Sequence, residues 1–178
     1  MLLALVAIAA GYISLVSARG IIGFLGAGLA IVMLTIAVID WRSFTIPDWL
    51  NAVGLSLALV HAAAQQPEAM WPAMANALVR GTALALIFFA LRLGYASLRK
   101  RQGIGLGDVK LAFVAGAWLD WLVIPIAIEL AAFAALSVYL LRQLLTGQPI
   151  SPKNRIPFGL FLAPAIWICW VAEVRWLA

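Results

Sequence analysis

The sequence predicts an all-α, polytopic membrane protein with six or seven helical segments, on three observations. Of its 178 residues, 66% are apolar and only 11% charged. The mean hydropathy is +1.07, well outside the range of an ordinary soluble domain. The apolar residues fall in long runs separated by short polar or turn-forming breaks, and most tryptophans lie near the run ends, where interfacial rings are favoured. A hydrocarbon core about 30 Å thick calls for about 20 residues per helix. Six or seven crossings therefore use up the chain, which is expected to form one integral membrane domain over residues 1–178.

The runs place helices near 1–18, 21–40, 48–64, 74–98, 108–119, 121–145 and 157–177. The first is apolar from Met1 to Val16 and lacks the basic opening of a secretory leader, so it is expected to be the first membrane helix. The second stops at Asp40, Trp41 and Arg42. The third opens after Thr45-Ile46-Pro47-Asp48, a helix-start pattern of a cap followed three residues later by an acid, with Pro47 where a missing N–H does no harm. The fifth is too short to span comfortably. It is either a half-crossing or the first part of the sixth, joined through a kink at Pro125. Trp41, Trp49, Trp71, Trp118, Trp121 and Trp176 read as interfacial, while Trp167 and Trp170 lie deeper and read as packing residues.

Twelve basic against seven acidic residues give a net charge of +5. Arg42 follows the second run, Arg99, Lys100, Arg101 and Lys110 surround the fourth break, and Arg142, Lys153 and Arg155 the sixth. Basic residues collect in cytoplasmic loops, so these three breaks are expected on the cytoplasmic side. With seven crossings the N-terminus lies inside and the C-terminus outside, with Arg19 as the dissenting charge. The same rule accounts for the net charge without a nucleic-acid partner, and none is expected.

Few residues offer catalytic chemistry. The single cysteine, Cys169, excludes an internal disulfide and a thiolate zinc site. A serine or cysteine nucleophile needs a positioned base, and the sole histidine, His61, lies near the outer end of the third run, where it reads as interfacial. A His-Glu-x-x-His zinc site is excluded too. Neither metal nor cofactor is expected.

Carboxylates remain. Glu68, Asp120 and Glu173 map to the outer surface and Glu129 to the sixth run, whereas Asp40, Asp48 and Asp108 all map to the cytoplasmic boundary. Ionisable groups at a membrane are costly and tend to be functional. Asp40 sits at a helix C-terminus, where the dipole disfavours a carboxylate by about 0.3–1 kcal/mol. It reads either as a tolerated charge beside Arg42 or as a functional acid. Asp48 reads first as part of the helix cap, with substrate contact as the lesser option. Asp108 closes Gly103-Ile104-Gly105-Leu106-Gly107-Asp108, which is either a flexible loop ending in a helix-start acid or a place where glycines let an extended peptide approach an acid. Lys110 reads as a cytoplasmic anchor, since two residues apart on a helix it does not face Asp108.

Three segments together resemble the type IV prepilin peptidases, aspartyl proteases with a Gly-x-Gly-Asp motif. They are Ile39-Asp40 with Ile46-Pro47-Asp48, Gly105-Leu106-Gly107-Asp108-Val109-Lys110-Leu111 running into Gly116-Ala117-Trp118-Leu119, and Ile156-Pro157-Phe158-Gly159 with Phe161-Leu162-Ala163. The resemblance implies a catalytic pair of Asp40 and Asp108, with Pro47, Asp48, Gly105, Gly107 and Lys110 contacting substrate or supporting the motifs. It further implies a prepilin or pseudopilin substrate, cut on the cytoplasmic side of a bacterial or archaeal cytoplasmic membrane, between a basic leader and a hydrophobic helix. With Cys169 as its single cysteine, the sequence shows no cysteine pairs of the kind that larger members carry in an N-terminal region, and such a region is not expected. The chain is similar instead to short, peptidase-only forms that serve Flp-type or archaeal-type pili, so methyltransferase activity is not expected. A small proton-coupled transporter is the alternative, and it would favour acids at mid-bilayer.

Overall fold

The computed structural model describes residues 2–100, 103–146 and 157–176. Arg101, Lys153, Arg155 and Ile156, which entered the topology and motif readings, lie outside these residues. The described residues form seven α-helices: α1 (Leu2–Ser17), α2 (Ile21–Ser43), α3 (Asp48–Gln65), α4 (Met70–Arg99), α5 (Leu106–Trp118), α6 (Val123–Thr146) and α7 (Gly159–Trp176), with a 3-10 turn at Pro67–Ala69 before α4. The all-α, multi-pass expectation holds. Four segments, 21–43, 67–99, 123–145 and 159–176, are long and apolar enough to cross a membrane.

At 13 residues, α5 is about 20 Å long and falls short of the hydrocarbon core. It does not run into α6: Pro125 occupies the first turn of the separate α6, where its missing N–H interrupts no internal bond. The backbone N–H groups of Val123 and Ile124 bond instead to the carbonyl of Asp120, at 2.9 and 3.0 Å.

α5 is wedged between α3 and α4 and also touches α7. The α4–α5 contact is close enough for backbones to meet. A Cβ on Gly116 would lie 2.6 Å from the Arg80 carbonyl oxygen, and one on Gly81 would lie 2.7 Å from that of Phe113. Small residues at such crossings let membrane helices gain van der Waals contact. Arg80 ties the crossing further, its Nε donating to the Gly116 carbonyl at 3.2 Å and its guanidinium pairing with Asp120 at 3.3 Å. The core is built from Leu29, Met33 and Ile36 of α2, Leu111 and Val114 of α5, and Leu162 and Ile166 of α7, all buried.

Two aromatic readings are corrected by this packing. Trp118 is not interfacial: it is buried, and its indole donates to the Gly54 carbonyl at 3.0 Å. His61 is also buried, lying against the Trp118 ring at a centroid distance of 4.5 Å. The deeper tryptophans gain specific partners. Trp170 donates to His61 Nε2 at 3.1 Å, and Trp167 donates to Ser14 Oγ at 3.0 Å.

Candidate active site

α2 ends where the sequence turns toward Pro47. Phe44 takes up a left-handed conformation, φ 54° and ψ 32°, and its N–H caps the Asp40 carbonyl. Ile46, buried before the proline, is thereby directed into the bundle, and the residue before a proline disfavours helical geometry. A Cβ on Gly107 would come within 3.1 Å of Ile46 Cβ, and one on Gly159 within 2.7 Å of Ile46 Cδ1. Ile46 is therefore clasped between the starts of α5 and α7. This contact gathers the end of α2 and the beginnings of α3, α5 and α7 at one end of the bundle. The end of α4 joins them through a hydrogen bond from the Arg92 guanidinium to the Ile104 carbonyl.

Asp40 is 4% exposed, which excludes a solvated charge beside Arg42. Its Oδ2 accepts the backbone N–H of Leu160 at 3.1 Å, with the Gly159 N–H beside it. The α7 N-terminus thus offers orphan amide donors and a positive dipole end to this carboxylate. A Cβ on Gly159 would sit 2.8 Å from Asp40 Oδ2, so the close approach requires glycine.

Asp108 occupies the first turn of α5, and its Oδ2 accepts the Gly105 N–H at 3.1 Å. Burial pushes its pKa from 3.8 up to about 6, opposed by the Gly105 hydrogen bond and assisted by the negative charge of Asp40. The two acids, 68 positions apart in sequence, are thus near enough to feel each other electrostatically.

The capping role expected of Asp48 is not observed. The N-cap position of α3 is Pro47, without a side-chain capping bond, and Thr45 Oγ1 pairs with Ser43 Oγ at 2.8 Å instead. Asp48 reaches across to Lys110 of α5, with Nζ and Oδ1 2.6 Å apart. Lys110 is therefore a bridge between helices as well as a charge near the membrane edge. Pro47 contributes its carbonyl, which accepts the N–H groups of Leu50 and Asn51 at 3.2 and 3.4 Å. Gly105 and Gly107 fall into place as the backbone donor to Asp108 and the seat for Ile46. Sequence reasoning missed Leu160 and gave Gly159 no contact with Asp40. The Pro157-Phe158-Gly159 segment was the available signal, because it marks a helix start whose free amides need an acceptor.

Fold and site together define a helical, multi-pass membrane protein with acids from separate chain segments at one end of the bundle. Residues 27–140 match the type IV leader peptidase family. The chain is 32% identical over 126 residues to leader peptidase HopD of Escherichia coli, covering 71% of this chain and 78% of that protein. It is 31% identical over 135 residues to HopD of Salmonella typhimurium, covering 76% and 84%. It is also 33% identical over 145 residues to a prepilin leader peptidase/N-methyltransferase of Aeromonas hydrophila, covering 77% of this chain but 45% of the relative. The chain belongs to the type IV leader peptidase family. Its spanning helices and bacterial relatives mark it as a bacterial multi-pass membrane protein. No solved structure matches it.

Proposed function

We propose that the chain is an aspartyl endopeptidase that removes the basic leader of a type IV pilin-like precursor at the cytoplasmic membrane face, with Asp40 and Asp108 activating water. The observation that carries this reading is geometric: Asp40 is seated on the backbone N–H of Leu160 at the start of α7, Asp108 on that of Gly105 at the start of α5, and Ile46 is clasped between these two helix starts. Family membership supports the peptidase class. Arg42 closes α2 just after Asp40, and Arg99 and Lys100 close α4, whose Arg92 bonds to the Ile104 carbonyl ahead of α5; these charges support a cytoplasmic placement by the positive-inside rule.

Two carboxyls held close cannot both ionise cheaply, so the pair shares one proton at working pH. The ionised acid takes a proton from water, whose oxygen attacks the scissile carbonyl. The protonated acid hydrogen-bonds the developing oxyanion, and a proton then passes to the leaving amine as the C–N bond breaks. The coupled pair titrates as a unit, so neither role is assigned to one residue.

The test is cleavage of a pilin-like precursor by purified wild-type, Asp40→Asn and Asp108→Asn proteins. Both variants are expected to stay folded and to lose cleavage. Full activity in either one overturns the pair.

A further inference from the structure

The carboxylate of Asp108 accepts the backbone N–H of Gly105 at 3.1 Å. That N–H shares its peptide group with the Ile104 carbonyl, which accepts a hydrogen bond from the Arg92 guanidinium of α4. A trans peptide group is planar, with its C=O and N–H directed to opposite sides. One rigid unit is thus held by α4 at its oxygen and holds Asp108 at its hydrogen. Among the described residues, no hydrogen bond or ion pair joins Arg92 to Asp108 directly.

A second side chain of α4 backs the same turn. Tyr95 lies three residues after Arg92, and so on the same face of the helix. A Cβ on Gly103 would come within 2.5 Å of Tyr95 Cδ1, so the backbone there rests against the ring. With glycine on both sides of Ile104, the chain itself does little to fix the orientation of this peptide plane. The hold from α4 supplies the restraint.

The bond from Arg92 does more than orient. It is charge-assisted and partly buried, and such bonds are about twice as strong as neutral ones. Hydrogen bonds in series polarise one another. A cation on the Ile104 oxygen therefore makes the Gly105 N–H a better donor to the ionised carboxylate.

We propose that Arg92 is a positioning residue for Asp108, fixing and strengthening its backbone hydrogen bond through the Ile104–Gly105 peptide group. The proposal rests on the peptidase reading above for its effect on catalysis, but its effect on the Asp108 proton does not. The other charges around the start of α5 are Asp40 of α2, which also acts on Asp108, the Asp48–Lys110 pair between α3 and α5, and Arg99 in the last turn of α4. In α7 the described charges, Glu173 and Arg175, stand near the opposite end of the helix from Gly159.

The experiment compares wild-type and Arg92→Met proteins, each with Asp108 and with Asp108→Asn, by thermal unfolding between pH 4 and 8. Methionine keeps an apolar stem without charge or donor. Weakening the bond to the ionised carboxylate raises the folded-state pKa of Asp108 further, so the stability contributed by its proton should persist to higher pH. The decline is expected to move up by about half a pH unit, as a weakened charge-assisted bond implies. It should not move in the Asp108→Asn background. On a precursor peptide, kcat should fall about tenfold, as a displacement below 1 Å implies, with KM held within a few-fold. Arg92→Lys, which keeps a charged donor, should recover part of both effects. If Arg92→Met does not fold, Arg92→Gln, which lacks the charge, is measured in its place. A lower Tm with the pH dependence unmoved, or a shift that survives in Asp108→Asn, overturns the proposal. If wild-type protein cleaves no precursor while the Asp108-dependent shift appears, the peptidase reading fails and the link from Arg92 to Asp108 stands.

Discussion

The carboxylate of Asp40, on α2, accepts a hydrogen bond from the backbone N–H of Leu160, 3.1 Å away in the first turn of α7. An acid near the C-terminal end of one helix is thus held by the N-terminal end of another. The macrodipole that opposes it in α2 is countered by that of α7.

This arrangement makes Gly159 the first position to test. In Gly159→Ala, the new methyl group would lie 2.8 Å from Asp40 Oδ2 and 2.7 Å from Ile46 Cδ1, so the carboxylate or α7 must shift. A displacement near 1 Å can cost roughly 100-fold in rate, and a loss of that order in precursor cleavage is expected without unfolding. Gly94→Ala is the control, because a methyl group there meets nothing within 4 Å. Undiminished cleavage by Gly159→Ala would show that the seating of Asp40 on α7 does not limit the reaction.

Asp108 links activity to stability with opposite signs. Its pKa is raised from 3.8 to about 6, chiefly by burial, so the folded state holds this proton more tightly than the unfolded chain does. The resulting stabilisation is complete below about pH 4, declines as pH rises toward about 6, and is level above that. Asp108→Asn keeps an acceptor for the Gly105 N–H but has nothing to ionise. It is expected to raise Tm relative to wild type at pH 7.5, with the difference shrinking by pH 4, while abolishing cleavage. Thermal unfolding in detergent at the two pH values checks this. A stability difference independent of pH would mean that Asp108 titrates normally in the fold.

The apolar runs made the helices legible, and two acids at run boundaries made the candidate pair legible, because lipid punishes both exposed backbone and stray charge. The run starting at 74 missed the first turn of α4, since Pro72 reads as a break although a proline is tolerated that close to a helix start. What stayed hidden were pairings between distant segments. Asp48 looked like a cap because Thr45 and Pro47 are its neighbours, whereas its partner Lys110 is 62 residues away. Trp118 looked interfacial because it ends a run, whereas the Gly54 carbonyl that claims its indole is 64 residues away.

His61 has become a structural residue in this fold, and its role can be measured. Trp170, fully buried, donates its indole N–H to His61 Nε2 at 3.1 Å. Gly26 leaves the space for that indole, since a Cβ there would lie 1.7 Å from Trp170 Cη2. His61→Leu removes the acceptor and strands a buried donor, which costs about 1–3 kcal/mol. His61→Leu should therefore unfold at a lower temperature than wild type. In the double variant His61→Leu/Trp170→Phe no donor is stranded, so its loss should be smaller than the sum of the two single losses. Thermal unfolding of the four proteins closes this cycle. Strict additivity would mean that the bond contributes nothing and that His61 acts through its other contacts, with the Trp118 ring and the Gln65 amide.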